Sequence, residues 1–246
     1  MLRVSRTLAG SLVVGLLLIA SGCGGGGDTI EQARDYAKKD GADIAKEARS
    51  AMSGLQTMHV AGTIVQGGDT IALDLSVSKS GACTGTIGVG DGSIELRSTG
   101  GQAWYKADLA FWKAEVGSEA EKVAKAVGDR WVVLSGDLAS LRSFCRIDSL
   151  TGQMLDAKAS IQSQGAAMVG STPTARISVT QPGVESAAYV KASDPHYVLR
   201  IVRGAAGKSG KADDKAGQVD FTGFDQKFTV VAPDPQDVFN PANASG

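Results

Sequence analysis

The sequence predicts an α+β domain, an open, curved antiparallel sheet of about ten strands whose concave face is covered by helices. Three observations point there. An amphipathic helical stretch leads, two runs of short alternating segments with Gly, Asp and Ser turns follow, and a helical insert divides those runs. With 32 glycines in 246 residues and only 5% aromatics, the core is mainly aliphatic and the strands can bend.

Asp28 to about Gly54 reads as one helix, capped by Asp28 with Glu31 three positions on. Ile30, Ala33, Ala37, Ile44, Ala48, Met52 and Leu55 form its apolar stripe, which has to lie on something. Strands come next at Thr63 to Val65, Ile71 to Val77, Thr84 to Val89, Ile94 to Ser98 and Ala103 to Lys106. The clearest is Ile71, Leu73, Leu75 and Val77 alternating with polar or small partners. Gly90-Asp91-Gly92 marks a hairpin, and Gly85 and Gly88 permit the sheet to curl. From Leu109 to Gln164 the pattern turns helical. Ser118 opens one segment, Trp131 to Leu134 is a short apolar stretch, Asp137 opens a second segment, and Leu155 to Ile161 is a third. Strands resume at Ala167 to Gly170, Arg176 to Thr180, Ala187 to Lys191, Tyr197 to Arg203, Gln218 to Thr222 and Phe228 to Val231. Gly204 to Gly217 is a polar hairpin tip, and residues 233–246 form an extended or disordered tail.

Upstream of the helix the chain has the marks of an export signal. Arg3 and Arg6 precede an uncharged apolar run, Leu8 to Ala20, that is too short to span a bilayer. Ile19-Ala20-Ser21-Gly22-Cys23 resembles a bacterial lipobox, in which the cysteine thiol receives a diacylglyceryl group, although Leu is commonest where Ala20 stands. The resemblance implies a signal peptide over residues 1–22, a lipidated Cys23 bearing palmitate-type chains, and a flexible leash to residue 27. An ordinary secretory peptide cut after Gly22 is the alternative. Either way the domain proper runs over residues 28–232, outside the cytoplasm, and the lipobox reading anchors it to the membrane face.

Removal of residues 1–22 leaves 26 acidic residues against 23 basic ones, a formal charge of −3, which argues against nucleic acid as a partner. Two further cysteines, Cys83 and Cys145, read as one structural disulfide in an oxidising compartment, with two separate buried thiols as the alternative.

The anchored cysteine, short linker, long helix, strand series, helical insert, second strand series and Val/Pro-containing end together resemble the LppX/LprAFG lipoproteins. Gln102-Ala103-Trp104-Tyr105-Lys106 and Trp131-Val132-Val133 are the closest local matches. The likeness covers nearly the whole exported chain and implies the half-barrel fold that this family shares with LolA and LolB. The Cys83–Cys145 pair departs from the pattern, and no catalytic residue is carried over. The implied activity is binding or carrying lipid or glycolipid acyl chains, or lipidated partners, in an apolar cavity between sheet and helices. Ile71, Leu73, Leu75, Val77, Ile94, Leu96, Ile177, Val179, Leu199 and Ile201 are the expected lining, though the same residues would serve as plain core. The alternative function is an envelope-anchored structural or protein-interaction module with a filled core.

Catalytic chemistry finds no constellation in the sequence. His59 and His196 are isolated, no Gly-x-Ser-x-Gly elbow occurs, and Gly204 to Ser209 misses phosphate-loop spacing. Asp213-Asp214 lacks the further oxygen ligands of a calcium loop. The chain is therefore expected to be no enzyme and to need no cofactor or metal.

Overall fold

The computed structural model describes residues 29–66, 69–152, 159–181, 184–204 and 217–239. Cys23, the preceding signal segment, Asp28 and most of the Gly204–Gly217 hairpin tip lie outside the described residues.

The leading helix is two helices. α1 (Ile30–Tyr36) is capped by Thr29, whose hydroxyl accepts from the Gln32 N–H while the Gln32 side chain accepts from the Thr29 N–H. The chain breaks over residues 37–40 and restarts as α2 (Gly41–Gly54), where the Asp40 carboxylate accepts from the Ala42 N–H. The predicted stripe survives this break because Ala33, Ala37, Ile44, Ala48, Met52 and Leu55 are all buried. Gly41 sits where α2 meets a strand at van der Waals range. A Cβ there would lie 2.7 Å from backbone atoms of Gln162 and Ser163.

The first meander is β1 (Thr57–Gln66), β2 (Asp69–Ser78), β3 (Cys83–Val89), β4 (Gly92–Thr99) and β5 (Gln102–Ala107), each antiparallel to the next. Gly62 and Gly85 carry φ of +139° and +144°, and a Cβ on either would overlap a carbonyl oxygen of the neighbouring strand. Backbone approach this close marks where the sheet bends.

The insert holds α3 (Leu109–Val116), capped by Asp108, then α4 (Ala120–Val127) and a 3-10 segment, Gly136–Cys145, leading into α5 (Ile147–Gly152). α4 is the segment expected to open at Ser118, and it instead starts after a 3-10 turn at Gly117–Glu119 with no side-chain cap. Between them Trp131–Val133 forms a strand, β6, paired with Trp104 and Tyr105 of β5. The second meander comprises β7 (Ser160–Val169), β8 (Thr172–Gln181), β9 (Val184–Lys191), β10 (Val198–Arg203) and β11 (Gln218–Thr222). Of the expected helical piece Leu155 to Ile161, residues 155–158 lie outside the described residues and Ser160 and Ile161 belong to β7. Phe228 to Val231, expected as a strand, is irregular. The expected tail supplies β12 (Val238–Phe239), parallel to β6, after a 3-10 turn at Pro235–Asp237.

One sheet therefore has twelve strands in the order β12-β6-β5-β4-β3-β2-β1-β11-β10-β9-β8-β7, antiparallel except at β12, and it stays open. It is the predicted curved half-barrel, two strands larger than expected. α1 and α2 pack on β7 and β8, α3 packs on β4, and α5 with its 3-10 segment bridges α2 and β2. Facing these helices, alternate residues of the central strands make one core. Cys83 and Cys145, both buried, are joined as a disulfide with 5.2 Å between their Cα atoms. Among the described residues no helix is long and apolar enough to cross a membrane.

Candidate functional site

The interior is solid at one end and hollow at the other. Over β4 and β5, Tyr105, Phe111 and Trp112 pack ring against ring with centroids 5.8 to 6.1 Å apart and fill the space beneath α3. Leu75, Val77, Ile94, Leu96, Ile177 and Val179 are each at most 2% exposed within this continuous core.

Toward the ends of β1, β10 and β11, a cavity of about 620 Å3 opens between the sheet and the segment running from the 3-10 helix into α5. Its floor is apolar and buried, made by Val60, Leu73 and Val219 with Ile64 and Ile201 beside them. Phe144 and Leu150 form the roof. The Cys83–Cys145 bridge and the pairing of Ser78 with Arg146 hold that roof to the ends of β2 and β3. Gly217 leaves bare backbone in the wall, since a Cβ there would meet the Thr63 carbonyl oxygen at 2.8 Å. The rim is polar, with Ser143, Asp148 and Ser149 from the roof segment and Gln181, Ser186 and Arg203 from the strand ends. Arg203 reaches the mouth by alternation, because β10 turns Ile201 inward and the next inward position is 203, opposite Ser186 of β9.

Of the ten expected lining residues, the structure brings Leu73 and Ile201 to the hollow. Ile71 packs at the margin of the core, and six others belong to its solid part. Leu199 stands apart from the core cluster. A register irregularity between Val198 and Arg200 shifts it out of the inward alternation. The sequence reading missed the polar rim and the roof. Arg203 was legible from the period of β10, whereas Asp148 depends on how α5 docks.

A second, shallower hollow of about 450 Å3 lies on the outer side of α2 among Lys39, Asp43, Lys46, Glu47 and Ser50. Charged side chains make it a solvated groove. Beside it Tyr36 stacks on His196 with centroids 4.4 Å apart, and Lys39 Nζ lies 2.7 Å from Glu47 Oε1. The Lys39 ammonium foremost holds the Glu47 carboxyl below the ordinary carboxylate range. Burial foremost, with the Glu47 charge, pushes the Tyr36 phenol well above its ordinary value. His59 lies on the outer face of β1, 3.3 Å from Ser76 Oγ and 3.4 Å from Asp74 Oδ1, one residue from Val60 but on the opposite side of the sheet from the hollow.

Fold and site together define an open half-barrel with a partly vacant interior beneath its helical cover. Three solved structures are similar to it. The Mycobacterium tuberculosis lipoprotein LppX is 15% identical at a TM-score of 0.47, over 77% of this chain and 97% of its own. LprF from Mycobacterium bovis is 14% identical at 0.49, over 78% and 96%. An uncharacterized conserved protein from Thermus thermophilus is 10% identical at 0.35, over 80% and 96%. No residue role is taken from likenesses at this level. No family model matches the chain, and no curated protein does.

Proposed function

We propose that this protein is a membrane-anchored, extracytoplasmic lipoprotein that binds or carries one acyl chain of a lipid or lipidated partner in the hollow between β1, β2, β10, β11 and α5. One observation carries the reading: a hollow of about 620 Å3 walled by partly exposed Ile64, Ile201, Phe144 and Leu150, with buried Val60, Leu73 and Val219 behind them, beside a core otherwise closely filled. The volume, about 620 Å3, falls in the ~300–1,000 Å3 range of small-molecule clefts. Each methylene withdrawn from water is worth about 0.8 kcal/mol, so a chain of ~14 methylenes gains roughly 11 kcal/mol gross. Association costs at least about 4 kcal/mol, so the affinity is micromolar at its tightest. Apolar contact supplies this drive, and the polar rim sets orientation and selectivity.

The competing reading is an envelope-anchored structural or protein-interaction module with no small ligand, and the solid half of the core favours it. Organic extraction of protein lacking its own acylation, followed by mass spectrometry, separates the two. Stoichiometric lipid supports the carrier. Absence of lipid, together with no uptake of a fluorescent fatty acid, supports the module. Ile201→Trp, which fills the hollow, should weaken fatty-acid uptake by about tenfold or more while leaving the fold intact.

A further inference from the structure

Among the described residues that line the hollow, its mouth carries one charge of each sign. Arg203 projects from the end of β10 on the same face as Ile201, and Asp148 faces the opening from α5. Both are exposed, and neither forms an ion pair with another described residue. Ser186, across from Arg203, and Ser149, beside Asp148, add hydroxyls at each side. A fatty-acid carboxylate drawn to Arg203 would be repelled by Asp148, and an alkylammonium drawn to Asp148 would be repelled by Arg203. A headgroup bearing both charges satisfies both walls.

Resting on the carrier reading above, we infer that the preferred occupant is a single-chain amphiphile with a zwitterionic phosphate head, of lysophospholipid type. Its phosphate meets Arg203 and its ammonium meets Asp148. The planar guanidinium fork suits a phosphate better than a point charge would. One chain is what the volume and the short floor of the hollow accommodate. At an exposed rim these contacts add selectivity rather than most of the affinity, and salt screens them.

The test uses full-length protein carrying Cys23→Ser, so that no acyl chain of its own competes. Myristoyl lysophosphatidylethanolamine, myristate and tetradecyltrimethylammonium are titrated below their micellar concentrations at low salt. The lysophospholipid should bind about tenfold more tightly than either singly charged amphiphile. Arg203→Gln should remove most of its advantage over the alkylammonium, and Asp148→Asn should remove its advantage over myristate. Equal binding of all three, or an order that neither variant changes, overturns the headgroup inference and leaves the carrier reading standing. Absence of binding by every amphiphile overturns both.

Discussion

Replacing both bridge cysteines by alanine tests how the hollow keeps its roof. The Cys83–Cys145 bond closes a loop with a sequence separation of 62, and chain entropy assigns such a loop about 4 kcal/mol of stabilisation through the unfolded state. Against the ~5–15 kcal/mol that holds a typical domain together, this is a large share. With a urea dependence of roughly 2–3 kcal/mol per molar, the unfolding midpoint of C83A/C145A should fall by about 1.5–2 M. A second effect is local. Cys145 ends the 3-10 segment and α5 begins at Ile147, so the bridge fixes Phe144 and Leu150 over Val60 and Leu73. Fatty-acid affinity should therefore drop under conditions where the variant is still fully folded by circular dichroism. Reduction of the unmutated protein should reproduce both changes. A midpoint within about 0.3 M of the parent would refute the loop-entropy account. Unchanged affinity in a folded variant would show that the roof is positioned without the bridge.

Two further outcomes follow from packing and charge. Gly41→Ala would gain about 1 kcal/mol of helix propensity on a free surface. Here its Cβ meets the Gln162–Ser163 backbone at 2.7 Å, and overpacking of this kind costs about 1–3 kcal/mol. A lower melting temperature is expected, by several degrees, and a higher one would mean that α2 does not rest on β7. Tyr36 has its phenol raised by burial, so the stability it lends is fully present below pH ~10 and is lost as pH climbs above that value toward the folded one. Stability measured between pH 10 and 12 should fall by up to about 1.4 kcal/mol per unit from this group, and Tyr36→Phe should flatten that fall. Parallel pH curves for the two proteins would contradict the assignment.

Much of the fold was legible because β2 and the leading helices repeat cleanly. The 2.0 and 3.6 periods put Leu73, Leu75, Ile44 and Ala48 on the buried side without reference to neighbours. The break between α1 and α2 was hidden because the apolar stripe resumes in phase after Asp40. β6 and β12 were missed because three-residue and two-residue strands carry no period. The site was the least legible part. Leu73 and Leu75 have one pattern and adjacent inward positions on one strand, yet one borders the hollow and the other is sealed. The difference lies in what sits above them. The α3 aromatics fill their end of the interior, while Phe144 and Leu150 leave space at theirs. Tertiary docking decides that, and the spacing of residues along a strand does not encode it.

The margin of the sheet at β7 has a practical bearing. Ser160–Val169 is ten residues long, contains neither a charged side chain nor a proline, and has α1 and α2 lying across one of its faces. Its lateral hydrogen-bonding groups are thus guarded chiefly by the irregularity between Ser163 and Ala166, a light defence against adhesion to other chains. Under the proposed anchoring, crowding on a membrane surface would raise the local concentration of such margins. Among the described residues, the sheet margin open to pairing with a further strand thus lies at the end farthest from β12.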